Sequence, residues 1–226
     1  MNKTKIEWTD FTWNPITGCL HGCWYCYARK ICLRFKKLFP NGFEPTFHFE
    51  RLKELWDLKK PSKIFACSIS DLFADWTHPD WRDQVLLSIF GCPVKHIFQL
   101  LTKNPENIPV NMKFPENVWV GTTVTNEHLD ETSRNLTFIK MVNAHVKFAS
   151  FEPLLGALPE NISLKGLDWI IIGKLTGSRK VELNPAWVWD LIHKARDCRG
   201  IPVFIKNNIL ENYPEFPKLQ EFPYPH

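Results

Sequence analysis

Short apolar runs rich in β-branched and aromatic residues recur along the chain. Between them lie stretches with the three-to-four-residue spacing of amphipathic helices. The runs at 63–68 (KIFACS), 95–102 (KHIFQLLT), 117–124 (NVWVGTTV), 145–151 (HVKFASF), 168–173 (DWIIIG) and 201–206 (IPVFIK) read as strands, with a shorter one within 10–16 (DFTWNPI). Helical character falls in 24–38, 50–58, 79–91, 126–142 and 185–198. The clearest case is NPAWVWDLIHKARD at 184–197. There Asn184 suits the N-cap, Pro185 suits the first helical position, and Trp187, Val188, Leu191, Ile192 and Ala195 share one face.

Near-continuous apolar strands alternating with helices predict a mainly parallel sheet covered on at least one face, hence the α/β class. Six or seven such units suit a partial or full β/α barrel, or an open doubly wound sheet. In either, ligands bind at the carboxyl ends of the strands. Polar residues gather there: SISD (68–71), TKN (102–104), TTVTNE (122–127), FEP (151–153), GKLTGS (173–178) and KNN (206–208). One barrel domain over 1–206 is expected, followed by a tail, 207–226, whose Pro-rich part NYPEFPKLQEFPYPH continues neither helix nor central strand. The tail is expected to pack across the domain or to serve as an extended arm for a partner.

Composition narrows the class. With 226 residues, 44% of them hydrophobic, the chain can bury a substantial core, which argues against a disordered or fibrous protein. Ten Trp and seventeen Phe imply large flat surfaces inside or around a ligand. A formal charge of +4 permits a nucleic-acid partner without demanding one. The most apolar window, LDWIIIG, is too short to cross a bilayer, and the start MNKTKIEWTD lacks an export signal, so a cytoplasmic protein without a membrane partner is expected. Seven cysteines, three of them within eight residues, then read as a metal site, not a disulfide framework.

Cys19, Cys23 and Cys26 follow C-x3-C-x2-C, with Tyr25 before the last. A structural zinc takes four protein ligands, and Cys32, Cys67, Cys92 and Cys198 are too scattered to form a second pair. Three thiolates suit a [4Fe–4S] cluster that keeps one iron open to a small molecule. A zinc-stapled, non-catalytic module that binds nucleic acid or protein on its aromatics is the alternative.

The segment CLHGCWYC resembles the cysteine signature of the radical S-adenosylmethionine (radical SAM) superfamily, which lies in the loop after the first strand of a partial β/α barrel. TKIEWTDFTWNPITGC, LLTKNPENI, SFEPLLG and the WIIIG strand are similar to the phage Gp37/Gp68-type three-Cys-motif (DUF5131-type) proteins, over about residues 4 to 206. The resemblance implies a partial (β/α)6–7 TIM-like barrel. It also implies an enzyme whose Cys19, Cys23 and Cys26 hold a [4Fe–4S] cluster. Its unique iron binds S-adenosylmethionine (AdoMet), which is cleaved to a 5′-deoxyadenosyl radical that abstracts hydrogen from a substrate. The cofactors carry that chemistry; the protein binds, orients and excludes water.

On that resemblance, Ser68, Ser70 and Asp71 replace the usual Gly-Gly-Glu segment as acceptors for the AdoMet amine. Thr122, Thr123, Thr125 and Asn126 would serve the ribose, with Glu152 close by and Tyr25 beside the adenine. Lys103, Lys174 and Lys206 end strands where a substrate carboxylate or phosphate would sit. The related proteins usually carry a Gly-Gly-Glu-Ser-Gly-like stretch where this chain has GKLTGS, so Leu175 replaces the acidic residue and a different substrate pocket is expected. The partners implied are AdoMet, a nucleic-acid, nucleotide or protein substrate, and an electron donor such as flavodoxin or ferredoxin. Cys67 and His21 receive no cofactor role, and His48 stands in no motif.

Overall fold

The computed structural model describes residues 1–177 and 181–223. Its strands are β1 (Asn2–Lys3), β2 (Phe11–Trp13), β3 (Ile16–Thr17), β4 (Thr46–Phe47), β5 (Lys63–Ala66), β6 (Ile97–Thr102), β7 (Val118–Thr123), β8 (Val146–Phe151), β9 (Trp169–Ile172) and β10 (Val203–Ile205). Its helices are α1 (Tyr27–Arg34), α2 (Glu54–Asp57), α3 (Pro79–Phe90), α4 (Leu129–Met141), α5 (Pro185–Asp197) and α6 (Asn207–Leu210). The described strands form one eight-stranded sheet in the order β1-β2-β5-β6-β7-β8-β9-β10, and β3 pairs with β4 apart from it. From β2 to β10 every neighbour is parallel; only β1 is antiparallel.

This is the expected α/β partial barrel, and it stays open, with β1 and β10 as its two edges. Every expected strand forms, trimmed at its ends. The 24–38 segment is helical only over α1, and 50–58 splits into a 3-10 turn at Phe49–Arg51 and the single turn α2. Helix α5 starts as expected: Asn184 Oδ1 accepts from Ala186 N at 3.0 Å and Pro185 opens the helix.

Strand parity divides the core. Side chains alternate across a strand, so one parity faces the helices and the other the hollow of the barrel. Ile64, Phe98, Leu100, Val118, Val120, Ala149, Phe151, Ile170 and Ile172 join the core that includes Leu136 and Ile139 of α4 and Val188, Leu191 and Ile192 of α5. The opposite parity, Phe65, Trp119, Phe148, Trp169, Ile171 and Phe204, builds an aromatic core with Trp8. Gly121 and Phe148 are register partners, and a Cβ at 121 would lie 2.4 Å from the Phe148 ring. A glycine there lets the ring lie flat against the neighbouring strand.

The tail packs on the open edge. Ile205 N donates to Leu219 O at 2.8 Å, and Trp169 Nε1 donates to Glu221 O at 2.8 Å. Phe222 stacks on Trp169 with centroids 5.4 Å apart, so the tail adds an aromatic ring to the core inside the barrel. Ser178, the last residue of the GKLTGS segment, and tail residues 224–226 lie outside the described residues. Among the described residues no helix is long and apolar enough to cross a membrane.

Candidate active site

Beyond β3 the chain enters the cysteine loop through Gly18, whose φ is +85°. A Cβ there would fall 2.2 Å from the Glu44 carbonyl oxygen, so only glycine fits. Backbone bonds from Gly18 N to Ile69 O and from Cys19 N to Phe43 O, both 3.1 Å, fix the loop's entry. Its exit is capped by Cys26, whose Sγ accepts from Arg29 N at 3.4 Å at the start of α1. Burial pushes the Cys19 thiol up to about 12, so holding it as a thiolate takes a cation beside it.

Side chains from several strand ends hold the loop above the sheet. His21 Nε2 lies 2.9 Å from Asp71 Oδ2, while the His21 ring stands edge-on to Trp76 at 4.5 Å. Lys103 Nζ donates to the Tyr25 hydroxyl at 2.8 Å, and Trp24 Nε1 donates to Glu127 Oε1 at 3.0 Å. Tyr27 Oη donates to Ser68 O at 3.1 Å. The loop is thereby tied to the ends of β5, β6 and β7.

Between loop and sheet ends lies a cavity of about 370 Å³, lined by Cys19, Cys23 and Cys26 on one side. Tyr25, Ser68, Ser70, Asp71, Thr123 and Glu152 line it too, as do Lys103, Lys174 and Lys206. Such a volume falls in the range of small-molecule sites, about 300–1,000 Å³. Its floor is apolar, with Ile6, Trp8, Phe65 and Leu101.

The candidate residues are not equally placed. Ser70 Oγ is buried without a hydrogen-bond partner on the cavity wall. Asp71 is only 4% exposed and already accepts from Lys103 N (2.8 Å) and Phe73 N (3.0 Å) besides facing His21. Ser68 Oγ donates to Asn14 Oδ1 at 3.1 Å. Glu152, preceding a cis proline, pairs with Lys206, which also lies 3.8 Å from Glu7 Oε2. Gly173 leaves room for that pair, since a Cβ there would come within 3.0 Å of both side chains.

Thr122, Thr125 and Asn126 do not line the cavity. Thr122 is fully buried on the opposite parity to Thr123 and donates to Thr102 O at 3.0 Å. Thr125 Oγ1 accepts from Glu127 N at 3.4 Å. Asn126, at a φ of 58°, donates from Nδ2 to Gly156 O and accepts from Thr132 Oγ1, which shapes the turn into α4. Cys67 also stays out of the cavity; it is buried, and burial pushes its thiol up to about 12.

Sequence reasoning missed Trp8, Tyr27 and Ser150, which line the cavity, as does Thr102 of the TKN segment. Ser150 was accessible from the two-residue period, standing two before Glu152 on β8. Trp8 carried no such signal, because it reaches the hollow from the connection before β2. The departing segment does face the site: Lys174, Leu175 and Thr176 all line it.

Among the described residues no three His, Cys, Asp or Glu side chains converge on a point where one metal ion would sit. In a [4Fe–4S] cluster each cysteine would hold a different iron, and Cys19, Cys23 and Cys26 all line the one cavity.

No curated protein matches the chain. Two solved structures share its fold. One is a cysteine-to-alanine mutant of spore photoproduct lyase with dinucleoside spore photoproduct, at 12% identity and a TM-score of 0.55. The other is a double mutant of that enzyme with bound AdoMet and dinucleoside spore photoproduct, at 11% and 0.54. Each alignment covers 95% of this chain but 63% of the other, so this chain spans less than two thirds of their length. At such identity the likeness establishes the fold alone. The family described as "Protein of unknown function (DUF5131)" matches residues 3–209, and the chain belongs to it.

Proposed function

We propose that this protein is a radical SAM enzyme in which Cys19, Cys23 and Cys26 hold a [4Fe–4S] cluster and the adjoining cavity takes AdoMet and substrate. The observation that carries the reading is the meeting of all three cysteines with candidate polar residues from β5, β6, β7, β8, β9 and β10 in one cavity. Its open-barrel fold is shared with a structure that binds AdoMet, which supports the same reading. When bound, the cluster, held by Cys19, Cys23 and Cys26, and AdoMet would together supply radical hydrogen-abstraction chemistry, driven by an electron from outside the protein.

The chain's own residues do the rest. Ser70, with its hydroxyl otherwise unpartnered, accepts from the AdoMet amine. Asp71 serves the same group indirectly by holding His21 and the Lys103 amide in place. Thr123 reaches the ribose from the end of β7. The Glu152–Lys206 pair presents paired charge to bound ligand from β8 and β10. The aromatic floor around Trp8 keeps water from beneath the reacting atoms. Lys103 and Lys174 give the walls a positive character that suits a phosphate-bearing nucleotide substrate, and both structural neighbours hold a dinucleoside photoproduct. A flavodoxin- or ferredoxin-type protein supplies the electron.

Anaerobic reconstitution tests the reading. The expected product is a brown protein with about four irons per chain that releases 5′-deoxyadenosine with dithionite. A colourless protein containing a single zinc would refute it and restore the binding-module alternative.

A further inference from the structure

The rim of the cavity on the α1 side has a composition that the proposed chemistry does not explain. Residues 27–38 (YARKICLRFKKL) hold Arg29, Lys30, Arg34, Lys36 and Lys37 and no acidic residue. Only Ala28 and Cys32 of this segment are buried; all the others are exposed. Large apolar side chains stand among the charges, with Tyr27 50%, Leu33 51%, Phe35 47% and Leu38 66% exposed. The Arg34 guanidinium lies over the Phe35 ring at 5.4 Å, joining a cation and an aromatic face in one unit.

This strip runs into the site. Tyr27 and Ala28 line the cavity. Lys30 Nζ comes within 3.6 Å of where a Cβ of Gly177 would stand, next to the lining residue Thr176. Lys174 and Lys103 continue the positive charge inward.

Both the charge and its interleaving bear on the partner. A helix that lies on a membrane segregates apolar and charged side chains to opposite faces. Read round α1, the order is Arg34, Tyr27, Ile31, then the buried Ala28 and Cys32, then Arg29, Leu33 and Lys30. The apolar arc is centred on Ala28 and Cys32, which are turned into the protein; on the exposed remainder Leu33 stands between Arg29 and Lys30, and Tyr27 stands beside Arg34, so cations and apolar groups are neighbours, as they are where a backbone of phosphates and a row of bases are gripped together.

We propose that residues 27–38 form a docking strip for a single-stranded polynucleotide, whose phosphates meet the basic side chains and whose bases stack on the exposed rings at the cavity mouth. Its direction into the cavity rests on the active-site reading above; the strip itself does not.

The test uses the full-length reconstituted protein and a fluorescein-labelled single-stranded 12-mer, followed by anisotropy from 50 to 200 mM salt. The triple variant Arg34→Gln/Lys36→Gln/Lys37→Gln alters only exposed residues outside the cavity. Expected are about tenfold weaker binding at low salt and a log–log salt slope shallower by about 2, at roughly 0.7 for each phosphate that is no longer neutralised. Dithionite-driven AdoMet cleavage by the variant stays within about twofold of wild type. Unchanged binding and slope in the variant overturn the proposal. So does binding to phosphatidylglycerol–phosphatidylcholine vesicles without binding to the 12-mer. If the protein loads no cluster but the oligonucleotide results hold, the radical reading falls and the docking strip stands.

Discussion

His21 Nε2 stands 2.9 Å from Asp71 Oδ2, joining the middle of the cysteine loop to the segment after β5. Sequence alone offers this carboxylate to the AdoMet amine. In the fold its oxygens also accept from the amides of Lys103 and Phe73, so it holds the site's frame. A buried carboxylate has to be satisfied by such donors, and here the donors come from three separate parts of the chain.

Asp71→Asn keeps the shape but loses the charge that three donors share. We expect a stability loss of about 1–3 kcal/mol. Iron content after reconstitution should fall more than twofold, because the loop loses its central tie. Ser70→Ala should leave iron content unchanged and raise the AdoMet concentration needed for half-maximal cleavage. Iron assays and a saturation curve for each variant check the division of roles; equal iron loss in both variants would show that there is none.

Gly18 and Gly22 both lie in the left-handed region, yet only Gly18 is crowded. Gly22→Ala meets nothing within 4 Å and should cost about 1 kcal/mol, the conformational penalty alone. Gly18→Ala adds a collision with the Glu44 carbonyl and should cost at least twice as much. For a chain of this length each kcal/mol lowers Tm by about 2–4 °C, which a thermal melt resolves.

Glu152 and Lys206 should behave as a unit. Removing either charge leaves the other in a largely enclosed wall, so Glu152→Gln and Lys206→Met are each expected to destabilise the fold. The double variant should recover part of the loss, with a coupling of about 0.5–3 kcal/mol in a denaturant double-mutant cycle. Strict additivity would mean that the pair does not interact.

Glu221 anchors the tail through Val203 N at 2.8 Å and Arg196 Nη2 at 2.7 Å. Burial raises its pKa, but the bonds from Arg196 and Val203 outweigh burial and leave the carboxyl below its ordinary value of 4.5. A depressed carboxylate contributes stability that is whole above its unfolded pKa and is lost as pH falls from there through the folded one. Tail docking should therefore weaken below about pH 4.5. Glu221→Gln should flatten that acid dependence. The fluorescence of Trp169, whose indole N–H is bound to Glu221 O, reports the change.

The strands, the main helices, the α/β class and the cysteine signature were legible in the sequence, because each depends on short-range pattern. A two-residue or 3.6-residue period needs only neighbours along the chain, and so does C-x3-C-x2-C. Cavity membership was less legible. Thr122 and Thr123 differ by one position, and parity sends one toward the helices and the other into the hollow. Which parity is inward depends on how the whole sheet curls, and no local pattern records that. Likewise His21 and Asp71 are fifty residues apart, as are Lys206 and Glu152 by fifty-four. Trp8 enters the barrel from the chain before β2. The sequence by itself determined which elements form and where the cysteine signature stands in the chain. Tertiary structure decided which polar groups were spent on holding the loop and which were left to meet a ligand, because hydrogen-bonding capacity is allotted only when distant segments meet.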